Sequence, residues 1–155
     1  MKNTEKTIDL LNTLVEINND RTEGYTKALQ ETTEADLKTI FTKFIKTSQK
    51  CLNELSKEIL TLGGQPTDST KTSGKFFRVW MDVKAALTSK DRHAILSSCE
   101  FGEDYATGAY KKALKDHAEI VSATQLSMIE AQYQAIKAEH DTVKSMRDAL
   151  VEHKV

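Results

Sequence analysis

Apolar positions along the chain recur in alternating steps of three and four, the period of one helix face. The first run is Ile8, Leu11, Val15, Asn18, Thr22, Tyr25 and Leu29, which predicts a helix from about Thr4 to Thr32. Thr33-Glu34-Ala35-Asp36 has the form of a capping box, with Asp in place of the usual Glu or Gln, and opens a second helix. Its stripe is Leu37, Phe41, Phe44, Ser48, Cys51, Leu55, Ile59 and Leu62. Gly63-Gly64 stops it and Pro66 blocks its resumption. Residues 65–72 are polar and read as a loop. Gly74 to Thr88 carries Phe76, Phe77, Val79, Trp80, Val83 and Leu87, a shorter amphipathic helix. Ser89 is the expected cap of the next helix, with Asp91 in its first turn. That helix runs to about Lys115 on the stripe Leu96, Cys99, Glu103, Ala106, Tyr110 and Ala113. Asp116 and Glu119 restart the chain as a last helix to about Glu152. Its stripe is Leu126, Ile129, Tyr133, Ile136, His140, Val143, Arg147 and Leu150.

No segment alternates with a period of two, so the expected fold is all-α. Four long helices form a bundle, with an additional short helix in the link between helices two and three. One domain over residues 1–155 is expected, because a chain of 155 residues with one Pro suits a single core.

Composition then removes several function classes. Lys and Arg number 22 against 23 Asp and Glu, a net charge of -1, so no basic field is available for nucleic acid. No apolar run approaches the ~20 residues of a membrane span, and the first residues lead into an amphipathic segment rather than a signal core. A cytoplasmic location is expected. Cys51 and Cys99 both fall on apolar stripes and read as buried free thiols. Glycine-rich phosphate loops, clustered Cys or His ligands and nucleophile elbows are all missing from the sequence.

Each long helix nevertheless carries a polar interruption near its middle. Together Asn18, Ser48, Cys51, Glu103 and His140 form a predicted buried polar belt. Buried polar groups are costly unless paired, so the belt calls for an explanation. Leu11-Asn12 and Leu14 with Tyr25 resemble helix one of a bacterioferritin-type protein, in which a ligand Glu lies seven residues before the Tyr. That position is Asn18 here. Glu103 stands seven residues before Tyr110, so the helix-three Glu is retained. The two Glu-x-x-His motifs align with Ser48-Gln49-Lys50-Cys51 and Lys137-Ala138-Glu139-His140. By this resemblance only Glu103 and His140 survive of six di-metal ligands.

Over its whole length the chain more closely resembles an uncharacterised bacterial family of ferritin-like four-helix bundles, classed as a domain of unknown function. The carrying segments are Glu16-Ile17-Asn18-Asn19-Asp20-Arg21, Leu62-Gly63-Gly64-x-Pro66, Trp80 to Leu87, Lys90 to Leu96 and Cys99-Glu100-x-Gly102-Glu103-Asp104. The resemblance implies a ferritin-like frame with one long crossing link, and no activity.

The expected function is a non-catalytic ferritin-like bundle, a structural or partner-binding module with a degenerate di-metal site and no cofactor. A homo-oligomer or protein partner is expected, with no nucleic acid and no membrane. The alternative is a metal-binding or di-iron-type oxidoreductase that holds iron or another divalent ion in a rearranged site around Glu103 and His140. Cys51 is the less favoured further ligand, or a redox thiol if His140 approaches it. Against this, Glu103 and His140 read more simply as a buried ion pair or hydrogen bond joined by Asn18. The Phe76, Phe77 and Trp80 rings read either as packing over the bundle or as an association surface.

Overall fold

A computed structural model describes residues 2–68, 85 and 91–153 of the chain. Among the described residues four long helices run Lys2–Glu31 (α1), Ala35–Thr61 (α2), Arg92–Asp116 (α3) and Ala123–His153 (α4). The segment predicted as the short helix, with Phe76, Phe77 and Trp80, lies outside the described residues apart from Ala85.

Local chemistry sets the helix ends. The α1–α2 turn does not use Thr33 as its cap. Thr32 Oγ1 accepts the Glu34 N–H instead, and Glu34 stands at the N-cap without a side-chain cap bond. At the far end of α2, Gly63 takes φ 86° and its N–H bonds to Leu60 O, while the Gly64 N–H bonds to Ile59 O. This is a Schellman ending, which needs a residue free to adopt the left-handed region. Gly64 is required for a different reason. A Cβ there would stand 2.9 Å from Ile8 Cγ2, so the chain passes α1 too closely for a side chain.

Two predicted starts are corrected. The cap of α3 is Asp91, whose side chain accepts from Ala94 N, rather than Ser89. Helix α4 begins at Ala123, later than Asp116 or Glu119. Its start is a reciprocal capping box: Gln125 N donates to Ser122 Oγ and Ser122 N donates to Gln125 Oε1.

Two apolar clusters fix the topology. One joins the N-terminal half of α1, the C-terminal halves of α2 and α3 and the N-terminal half of α4, through Leu11, Leu14, Leu55, Ile59, Tyr110 and Ile129 among others. The other joins the opposite ends through Tyr25, Leu37, Phe41, Phe44, Leu96 and Val143. Helix α1 is therefore antiparallel to α2 and α3, and α4 is parallel to α1. Contacts link α1 to α2 and α3, and α4 to α3 and α2, leaving α1–α4 and α2–α3 as diagonals.

Since α2 and α3 run the same way, the link between them must span the bundle, roughly 40 Å at 1.5 Å per helical residue. Its start is held on α1. Asn12 Nδ2 donates to Gln65 O, and Asn12 Oδ1 accepts from Thr67 N. At the other end Arg92 bonds Glu34 and Asp36 at the start of α2. Among the described residues an all-α bundle of four helices is thus established. No helix among the described residues is long and apolar enough to cross a membrane.

Candidate functional site

Between the two apolar clusters lies a polar waist, with Arg21 at its centre. Its side chain is 2% exposed. The guanidinium grips Glu103 with both arms, Nε to Oε1 at 2.9 Å and Nη2 to Oε2 at 3.0 Å. Nη2 also donates to Glu139 Oε1 at 2.8 Å, and Nη1 donates to Ser48 Oγ at 2.6 Å. Tyr25 donates its hydroxyl to Glu103 Oε1, and Thr47 reaches Glu139 Oε2. The Tyr25 and Phe44 rings stand 5.6 and 5.9 Å from Arg21 Cζ, giving the cation a polarisable wall. Each of the other three helices contributes a hydrogen-bonding side chain to this one charge: Ser48 from α2, Glu103 from α3 and Glu139 from α4.

Burial and pairing oppose one another here. Burial works against the charge on Arg21, but Glu103, with Tyr25 and Glu139, more than offsets it, and the guanidinium is held above its ordinary range. Burial pushes Glu139 above the usual carboxyl range, with Arg21 and Thr47 pulling it back. Burial also raises the Tyr25 hydroxyl, and the neighbouring Glu103 adds to the shift. A guanidinium paired bidentately with a carboxylate is a strong, geometrically specific contact that cannot shed its proton.

A second chain of bonds lies one to two turns further along the helices. Asn18 Nδ2 donates to Tyr110 Oη, which donates to Gln132 Oε1, and Gln132 Nε2 donates to Glu54 Oε1. Cys51 and Cys99 are buried free thiols, pushed up by burial to about 11 and about 12. At those values neither is a thiolate near neutrality.

The structure brings four of the five belt residues inside: Asn18, Ser48, Cys51 and Glu103 are all buried. His140 is only half-buried and faces another way. Its Nε2 lies 2.6 Å from Asp104 Oδ1 and its Nδ1 lies 3.0 Å from Asp141 Oδ1. Burial alone would lower its pKa, but the bonds to Asp141 and Asp104 raise it above 6.5. The thiol of Cys51 keeps company with Tyr110, not with His140.

Sequence reasoning missed Arg21 and Glu139, the two residues that complete the waist. The inward face of α4 is Gln125, Ile129, Gln132, Ile136, Glu139 and Val143, one position round from the predicted Leu126, Tyr133 and His140 at three of its turns. Against this face Lys137 is exposed and pairs with Asp141.

A separate group lies on the outer side of the α3–α4 pair. Ligand-type atoms of Glu100, Asp104 and His140 all fall within 4.8 Å of one another. Arg147 forms an ion pair with Glu100 beside them. A cavity of about 450 Å³ opens between α1 and α3, bordered by Leu14, Asp104, Tyr105, Lys112 and His117.

No curated protein matches the sequence. One family model does, over residues 6–116, which takes in Arg21, Ser48 and Glu103 and stops before α4. The match covers well over half of the chain, which belongs to the family described as Domain of unknown function (DUF2383).

Proposed function

We propose that this chain is a non-catalytic helical bundle on a ferritin-like frame, a structural or partner-binding module whose waist is closed by its own cation. The observation that carries this reading is the buried Arg21 guanidinium bonded at once to Glu103, Glu139 and Ser48. It performs the electrostatic task that a metal ion performs in a carboxylate-lined bundle: it draws carboxyl groups from different helices together and neutralises them. Both oxygens of Glu103 are committed to Arg21, and Tyr25 takes a further lone pair. A metal ion at this place would have to displace a permanent cation of the same sign. The two free, buried cysteines suit a reducing compartment, which supports a cytoplasmic location.

Metal content tests the reading. The untagged protein is dialysed against ferrous iron under anaerobic conditions, and iron per chain is measured by mass spectrometry for wild type, Glu103→Gln and Glu139→Gln. The expected result is no iron whose retention depends on either glutamate, and no acceleration of ferrous oxidation on admitting air. Iron held by the wild type and lost from a folded Glu103→Gln variant would overturn the proposal.

A further inference from the structure

The waist is closed, but the group outside it is not. Glu100 and Asp104 stand four residues apart on α3, so they share one face of that helix. His140 of α4 meets them there, and the three side chains place a ligand-type atom each within 4.8 Å of the others. Two carboxylates and an imidazole are a donor set for a divalent first-row transition ion.

Three further observations distinguish this group from an ordinary surface ion pair. His140 Nε2 and Glu100 Oε2 are both shielded from solvent, yet neither has a well-directed hydrogen bond. Their near polar neighbours are ion-pair partners, Asp104 Oδ1 at 2.6 Å from Nε2 and the Arg147 guanidinium beside Glu100. Meanwhile Asp141 lies 3.0 Å from His140 Nδ1. A carboxylate in that position orients the ring and holds a proton on Nδ1 when an ion takes Nε2, the arrangement that metal-bound histidines use. Asp104 is 58% exposed and also borders the cavity between α1 and α3, so an ion can enter from solvent. Two donor atoms on one tetrahedral zinc ion lie about 3.3 Å apart.

We infer that Glu100, Asp104 and His140 form a divalent transition-metal site on the outer side of the α3–α4 pair, distinct from the waist. The ion takes Nε2 of His140 and one oxygen from each carboxylate, with water in its remaining position. Asp141 acts as the positioning residue through Nδ1. Arg147 is the resident competitor: in the free protein its guanidinium neutralises Glu100, and the ion must displace it or bind opposite it.

Zinc titrated into the full chain by calorimetry, with cobalt absorption as a second probe, tests this. The expected result is one ion per chain, with affinity reduced by at least about tenfold in both His140→Ala and Asp104→Asn, and by about tenfold in Asp141→Asn. Glu139→Gln, at the waist, should bind as wild type does. The decisive variant is Arg147→Ala. It removes a competing cation, so it should tighten binding if Glu100 is a ligand. Absence of binding in the wild type, undiminished binding in His140→Ala/Asp104→Asn, or weaker binding in a folded Arg147→Ala would each overturn the assignment. Helicity of every variant by circular dichroism separates lost binding from lost fold.

Discussion

Replacing Arg21 by Met keeps much of the side-chain volume but removes every bond that the guanidinium makes to Glu103, Glu139 and Ser48. The cost is not the sum of those bonds. Two carboxyl groups, each buried almost completely, are left without their counter-charge. Breaking a buried pair by deleting one partner costs about 3–5 kcal/mol, because the remaining charge keeps its desolvation penalty. With a urea m-value of about 2 kcal/mol/M, the midpoint should fall by roughly 1.5–2.5 M. A domain of this size has about 5–15 kcal/mol in total, so the variant should still fold at low urea. The companion variant Arg21→Met/Glu103→Leu/Glu139→Leu removes the charges together. Ser48, Thr47 and Tyr25 then lose partners at about 1 kcal/mol each, while apolar packing returns a similar amount. It should lie within about 2 kcal/mol of wild type and well above the single variant. Equilibrium urea unfolding followed by helical circular dichroism measures both. A loss below about 1 kcal/mol for Arg21→Met, or a triple variant as unstable as the single one, would refute the claim that the guanidinium holds these carboxyl groups.

The two glutamates should differ. Glu103 accepts from both arms of Arg21 and from Tyr25, so Glu103→Gln turns an amide N–H₂ toward a donor and should cost about 2–3 kcal/mol. Glu139 accepts one Arg21 bond and meets Thr47, and burial already favours its neutral form, so Glu139→Gln should cost under about 1 kcal/mol; equal losses in thermal melts would contradict this assignment. At the surface, the Arg92 hydrogen bond holds the Asp36 carboxyl below its ordinary 3.8, against the opposing effect of burial. A depressed carboxyl pKa contributes stability above the unfolded value, and the contribution is lost as pH falls from there through the folded value. The pair is largely exposed and worth at most ~1 kcal/mol. Carboxyl titration by NMR should show Asp36 below 3.8 and returning toward it in Arg92→Ala; no change between the two would contradict the pairing.

Helices α2 and α3 were legible in sequence because their stripes leave no choice of face. Every residue from Leu37 to Ile59 and from Leu96 to Ala113 on those predicted stripes is buried. On α1 and α4 the period admits two answers at the waist. From Asn18 to Tyr25 the step can pass through Thr22 or through Arg21, and from Ile136 to Val143 it can pass through His140 or through Glu139. Taken one helix at a time, burying Thr22 costs less than burying Arg21, and His140 is the familiar ligand. The choice reverses only when both helices are considered together, because Arg21 and Glu139 neutralise each other across the bundle. That pairing is a property of the packed state and has no signature in either helix alone. The Ser122-x-x-Gln125 capping box, by contrast, was present in the sequence and would have placed the start of α4.

The waist also bears on how two hairpins find one register. Above and below it lie apolar clusters, and hydrophobic contact by itself tolerates a slip of a turn, since it is non-directional. A slip of one turn moves Glu103 about 5.4 Å along α3. That is further than the reach of the Arg21 fork, whose bonds to Glu103 are 2.9 and 3.0 Å long. The slipped bundle keeps much of its apolar burial but leaves a guanidinium and two carboxyl groups unpaired, at several kcal/mol. The network therefore discriminates between registers even if it adds little net stability to the correct one. The triple variant separates these two effects. Near-native stability with a sharp, singly populated NMR spectrum would mean that the apolar clusters suffice, whereas near-native stability with broadened or doubled α3 and α4 signals would assign the register to Arg21.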